Sequence, residues 1–120
     1  LVGGTGRSDS LLRQAFDLAA DGLAVLDASG PLARIVLANA ALARTLGSSP
    51  AALAGAPLQG WLDPGSAAAA QRAIAEAAAG RAAERIEIGL VAADGTHAWV
   101  QALLRPLEHD DGVRVLATFT

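Results

Sequence analysis

The chain has 120 residues, enough for one domain with a core but not for two. Hydrophobic residues make up 52% and charged residues 18%, which is a globular composition and excludes a disordered segment. The net charge of −3, with nine arginines scattered from Arg7 to Arg114 and no lysine, argues against a nucleic-acid surface, and the absence of cysteine removes disulfides, thiolate metal sites and a cysteine nucleophile.

Residues 1–9 are rich in glycine and read as a flexible linker or cut edge, with a single domain expected over 10–120. They lack the charged-then-apolar pattern of a signal peptide. Val2-Gly3-Gly4-Thr5-Gly6 looks like a phosphate loop only superficially, because no strand precedes it. From Ser10, apolar Leu11, Leu12, Ala15, Phe16 and Ala19 recur at helical spacing, so an amphipathic helix is expected to end near Asp21-Gly22. Leu23 to Leu26 and Ile35 to Leu37 read as two strands joined across the turn cluster Asp27 to Pro31.

Asn39 is placed as the N-cap of a short helix over Ala40 to Leu46, closed by Gly47. Ser49-Pro50 starts a second, very short helix that stops at Gly55. After Asp63-Pro64-Gly65-Ser66, a third helix runs over Ala67 to Ala79, with Arg72 and Glu76 facing solvent. The period then changes to two. Ile86, Ile88 and Leu90 alternate with polar residues, Asp94-Gly95 is a hairpin turn, and Ala98 to Leu104 and Val113 to Phe119 alternate in the same way around a turn at Asp110-Asp111-Gly112. No run of about 18 apolar residues free of charge is present, so no membrane-spanning helix is expected. The order predicts an α+β fold: a five-stranded antiparallel sheet, short helices on one face and an N-terminal amphipathic helix.

This order resembles the PAS family of sensory modules, and local sequence adds to the resemblance over residues 11–120. Asp21-Gly22-Leu23-Ala24-Val25-Leu26-Asp27 looks like the family's opening strand. Ile35 to Ala41 looks like its second strand running into an asparagine-led helix. Leu46-Gly47 and Gly55-Ala56-Pro57-Leu58 match two family glycines, Ala93 to Val100 looks like its Asp-Gly hairpin and tryptophan strand, and Pro106-Leu107 with Gly112 match its last hairpin. The resemblance implies a non-enzymatic, cytoplasmic sensor in signal transduction, with an output partner beyond Thr120 such as a two-component histidine kinase, a cyclic-dinucleotide enzyme or a DNA-binding module.

The long first hairpin is similar to the flavin-binding, light-oxygen-voltage branch of the family. That branch places a cysteine where Leu58 stands here, and polar amides where Leu90, Val100 and Phe119 stand. A buried flavin needs hydrogen bonds at its polar edges, so flavin is not expected. Haem is not expected either, since residues 66–80 contain no histidine. His97 and His109 read as exposed turn residues and no metal site is expected. Asp110-Asp111 reads as turn chemistry rather than an acid/base pair.

Alternation assigns Ile86, Ile88, Leu90, Val100, Ala102, Leu104, Val115, Ala117 and Phe119 to the side of the sheet under the helices. Candidate ligand-pocket residues are Leu26, Leu37, Asn39, Leu42, Leu58, Ile74, Ile88, Leu90, Val100, Leu104 and Phe119, with Leu46 and Leu62 closing over them. The set is apolar apart from Asn39. It fits either a filled core or a pocket for a small apolar metabolite, with Asn39, Thr45 and Arg34 as the only polar anchors. A small α+β enzyme would need titratable residues on this side, and the alternation puts none there. The opposite side carries Trp99, Leu103 and Leu116, which need a cover. Leu11, Leu12 and Phe16 of the first helix can supply it in the same chain or in a second copy. In the family such helices build parallel dimers, so these six residues are the candidate homodimer interface. A ligand-free dimerisation domain with a filled core is the alternative reading.

Overall fold

The computed structural model describes residues 2–81, 85–107 and 112–120, with side chains described from Ser10 onward. His109 and Asp110-Asp111 lie outside the described residues. Helix α1 spans Val2–Leu18, followed by strands β1 (Gly22–Asp27) and β2 (Arg34–Ala38), helices α2 (Ala40–Leu46) and α3 (Pro50–Leu53), two 3-10 turns at Leu58–Trp61 and Pro64–Ser66, helix α4 (Ala67–Ala78), and strands β3 (Ile86–Val91), β4 (His97–Leu107) and β5 (Arg114–Phe119). The strands form one antiparallel sheet in the order β2-β1-β5-β4-β3, so the first hairpin docks beside the last strand. The expected α+β architecture is therefore present, with short helices over one face.

Local chemistry explains the boundaries. Asn39 accepts the amide of Leu42 at 3.0 Å and starts α2, which Gly47 ends at φ 66°. Ser49 caps α3 with Pro50 at its first position. Asp94 accepts the amide of Thr96 at 2.9 Å within the β3–β4 turn, and Gly95 supplies the positive φ of 86°. Pro106 is tolerated because β4 runs past its β3 partner there: the β3 register ends with Ile86 opposite Ala102.

Two expectations are corrected. Helical backbone reaches back to Val2, through the glycine-rich stretch read as a linker. Each glycine costs a helix only about 1 kcal/mol, and no proline interrupts residues 2–18. The second correction concerns Leu37, expected over the pocket but 52% exposed. The β1–β2 register shifts between Val25, opposite Leu37, and Leu26, opposite Ile35. Val36 is the extra residue of this bulge, so alternation breaks there and Ile35 takes the core position, fully buried.

The core lies between the sheet and α2, α3 and α4. Leu26, Ile35, Leu42, Leu46, Leu53, Ile88, Leu90 and Val115 are its largest fully buried apolar side chains. The segment Gly55–Ser66 crosses this face and bonds to both outer strands. At the β2 side, Ile35 donates to the carbonyl of Ala56 at 2.8 Å and accepts from Gly55 at 2.7 Å, while Leu58 donates to Ala33 at 2.9 Å. At the β3 side, Asp63 donates to the carbonyl of Gly89 at 2.8 Å and Gly89 donates to the hydroxyl of buried Ser66 at 2.9 Å. Leu58 and Leu62 of this strap point into the core.

Candidate functional site

Of the eleven candidate pocket residues, Leu26, Leu42, Leu58, Ile74, Ile88, Leu90, Leu104 and Phe119 are buried in one cluster, and Val100 packs half-buried against it. They are brought together as core. Asn39 is also buried, and its side chain is saturated. Its Oδ1 accepts from Leu23 at 2.9 Å and Leu42 at 3.0 Å, and its Nδ2 donates to the carbonyls of Phe16 and Asp21 at 2.9 Å each. A side-chain amide offers two donors and two acceptor lone pairs, so nothing remains for a ligand. The residue instead ties the end of α1, the start of β1 and the start of α2 together. The other expected anchors are also engaged elsewhere: Arg34 donates to Gly55 at 3.0 Å on the surface, and Thr45 donates to Ala41 at 3.1 Å within its own helix.

The open space lies at the rim of this core. A cleft of about 120 Å³ runs between the β1–β2 loop, the first 3-10 turn and α4. Ala28, Pro31, Leu32 and Ala33 form one wall, Leu58 and Leu62 the floor, and Ala67, Ile74 and Ala75 the other wall. Its polar side chains are Gln59 and Gln71. Gln71 Nε2 donates to the carbonyl of Pro31 at 3.1 Å, fastening α4 to the loop across the cleft. Of the eleven candidates from sequence, Leu58 and Ile74 line this cleft, together with Leu62, which was expected to close over them. The two glutamines carried no signal, because nothing in a lone glutamine on a helix indicates what stands opposite.

On its other side the loop borders a second recess that contains Asp27, Ser29 and Arg34. Asp27 accepts from the hydroxyl and the amide of Ser29, and Arg114 Nη1 of β5 lies 3.1 Å away. These contacts hold the Asp27 carboxyl below its ordinary value, the Ser29 hydroxyl contributing most, then its amide, with Arg114 adding a smaller part against the opposing effect of desolvation. The Arg114 contact is an ion pair without hydrogen-bond alignment, since Nη1 has no hydrogen-bond partner among the described residues. Asp94 is likewise held low, by the hydroxyl and amide of Thr96. His97 is exposed, with Nε2 at 3.6 Å from Asp63 Oδ1, too long for a hydrogen bond. Among the described residues, no three His, Cys, Asp or Glu side chains gather as metal ligands, and no helix is long and apolar enough to cross a membrane.

The outer sheet face mixes apolar and polar residues. Cross-strand partners Leu37, Val25, Leu116 and Arg105 form one row, Leu23, Thr118 and Leu103 the next, and Glu87 with Gln101 a further pair; Leu37 is exposed, and Leu23, Val25, Leu103 and Leu116 are half-buried. Trp99 stands opposite Gly89 and is 62% exposed. Among the described residues, helix α1 packs against α2, with Leu11, Leu12 and Leu18 exposed at 65%, 70% and 83% and Phe16 half-buried. The bulge at Val36 thus moves Leu37 from the expected pocket to this face.

The positions that a flavin-binding relative would use are apolar here: Leu58, Leu90 and Phe119 are buried and Val100 is half-buried. They offer no partner to the polar edges of a flavin, so these residues do not fit that cofactor.

A family model described as the PAS fold matches residues 16–120. No curated protein matches the chain. Among solved structures, the chain is similar to the PAS domain of a protein from Colwellia psychrerythraea, with 21% identity, a TM-score of 0.79 and coverage of 94% of this chain and 95% of that one. It is similar to a domain of a sensory box sensor histidine kinase/response regulator from Geobacter sulfurreducens, with 24% identity, a TM-score of 0.70 and coverage of 93% and 92%. An RNA-binding light-oxygen-voltage receptor matches 97% of this chain at 24% identity and a TM-score of 0.77, and the chain spans 33% of that receptor's length. At these identities the likenesses show the fold. With the family model covering almost all of the described strands and helices, the chain belongs to the PAS-fold family.

Proposed function

We propose that the chain is the sensory domain of a larger cytoplasmic signalling protein, and that it relays its signal by homodimerisation to an output domain following Thr120. The carrying observation is the pair of uncovered apolar surfaces, Leu11, Leu12 and Leu18 on α1 and Trp99 with Leu37 on the outer sheet face. Each large apolar side chain buried between two copies contributes roughly 1.5–3 kcal/mol, so a few of them suffice for association. The solved neighbour described as part of a sensor histidine kinase/response regulator supports the signalling context. A shift of the sheet would reach Thr120 directly, because β5 ends at Phe119 between β1 and β4. Non-enzymatic action fits the interior, where among the described residues the buried polar side chains are Asn39 and Ser66 and none is charged.

Sedimentation velocity over a wide concentration range tests the relay. A dimer is expected, and a monomer at the highest concentrations overturns it. A ligand-free dimerisation domain is the second reading, favoured by the filled core around Leu26, Ile88 and Leu104. Native mass spectrometry separates the two: a mass excess lost on denaturation marks a retained ligand.

A further inference from the structure

We propose that the recess flanked by Asp27 and Arg34, at the loop end of the β1–β2 hairpin, is a binding site for a free α-amino acid with an apolar side chain. Such a ligand would be an input to the sensory role proposed above, and the site itself stands on the recess alone.

The recess holds two opposite charges that do not meet. Asp27 and Arg34 are cross-strand partners at the last position of the β1–β2 ladder, where opposite charges ordinarily pair. Here each is drawn aside. Arg34 Nη1 donates to the carbonyl of Gly55 at 3.0 Å, and the ion-pair partner of Asp27 among the described residues is Arg114. Both charges line one recess of about 210 Å³, together with Ser29, Gly30, Pro31 and Leu32. That volume exceeds the roughly 150 Å³ that admits benzene and falls short of a drug-sized pocket.

Each charge keeps free bonding capacity. The three contacts of the Asp27 carboxylate all fall on Oδ1. Among the described residues Oδ2 therefore accepts no hydrogen bond and can take an ammonium. The carboxyl is held below its ordinary value, chiefly by the Ser29 hydroxyl, so this acceptor is ionised at neutral pH. Arg34 spends one N–H of its guanidinium on Gly55, which leaves the others for a carboxylate. Pro31 and the 42% exposed Leu32 add apolar contact beside them. An ammonium, a carboxylate and an apolar group on one carbon match that set. An amine alone would stand beside the Arg34 cation, and a carboxylate alone beside the Asp27 anion.

Both charges lead into the fold. Asp27 meets β5 through Arg114, and Arg34 meets the strap through Gly55. A zwitterion held between them draws on the last strand and on the strap together.

Amide chemical shifts of isotope-labelled protein test the site with three probes: leucine, isoamylamine, which lacks the carboxylate, and isocaproate, which lacks the ammonium. Leucine is expected to shift the Ser29, Gly30 and Leu32 amides saturably, in the millimolar range suited to so few atoms and to exposed charges. Each singly charged probe should bind at least about tenfold more weakly. Asp27→Asn keeps an acceptor for Ser29 and removes the negative charge, and Arg34→Gln removes the positive one. Each is expected to raise the leucine dissociation constant at least about tenfold, with circular dichroism as the check of folding. Absence of saturable shifts at these amides, a singly charged probe that binds as tightly as leucine, or undiminished binding in either folded variant overturns the site. Shifts centred on Leu58 and Ile74 instead also overturn it, since they place the molecule in the rim cleft. Leucine binding by a chain that sediments as a monomer removes the dimer relay and keeps the recess. A dimer without leucine binding does the reverse.

Discussion

Both faces of the sheet carry leucines, yet these leucines meet different fates. Leu104 and Leu103 are neighbours on β4, and only Leu104 is buried under the helices while Leu103 is half-buried on the outer side. Both are leucines on a central strand, so propensity does not separate them. What separates them is the cover: α4 and the Gly55–Ser66 strap lie over one face, while among the described residues α1 packs against α2 rather than over the other. An apolar face without a cover in its own chain is a statement about assembly, whereas the covered face is a statement about stability.

The sharpest way to break this contrast is to truncate the two leucines separately. Leu104→Ala should cost about 3 kcal/mol in urea denaturation, from lost burial and a residual void. Leu103→Ala should cost about 1 kcal/mol or less, and equal losses would remove the distinction between the faces. Gly89→Ala probes a tightly packed place on the outer side. An added Cβ would lie 3.0 Å from Asp63 Cβ and 3.1 Å from the Trp99 ring, so the variant should lose about 1–2 kcal/mol and shift the Trp99 fluorescence. Trp99→Ser should change stability by no more than about 0.5 kcal/mol while weakening the dimer in sedimentation. Loss of folding in that variant would mean that Trp99 belongs to the core after all.

The smallest effect is electrostatic. The carboxyl of Asp27 is held below its ordinary value of 3.8 in the folded chain. A depressed folded value means that the stabilisation is fully present above 3.8 and is lost as the pH falls from there through the lowered value. Asp27→Asn should therefore flatten the pH dependence of stability as the pH falls below about 4, relative to the parent chain, with Asp94 still contributing to the slope. An unchanged slope would mean that Ser29 and Arg114 do not favour the ionised form.

Much of this fold was legible because its signals are local. The capping and turn bonds of Asn39, Gly47, Ser49-Pro50 and Asp94-Gly95 each reach no more than four residues along the chain, and each stands where its chemistry places it. Alternation also read β3, β4 and β5 correctly, since those strands pair without interruption. The placement of Leu37 over the pocket failed because the bulge at Val36 reverses the parity of β2 without marking the sequence. The rim cleft was illegible for a different reason. Its walls come from residues about 40 apart, joined by Gln71 and the Pro31 carbonyl, and a backbone carbonyl carries no residue identity to read. The strap escaped notice likewise, because its bonds to Ala33, Ile35 and Gly89 are main-chain bonds that nearly any sequence can make.

That strap also narrows the kinds of assembly the chain can enter. An open sheet normally offers two rows of unpaired amides and carbonyls on which another chain can grow as an extra strand. Here the middle of each row is already occupied, at Ile35 on one side and Gly89 on the other. Growth by strand addition is blocked at the centre of both edges, so new contacts are steered toward the faces. A contact made face to face between two copies can close on itself with two-fold symmetry and stop, whereas end-on strand addition has no natural terminus. The same twelve residues that clasp the sheet thereby favour a countable assembly over a fibre.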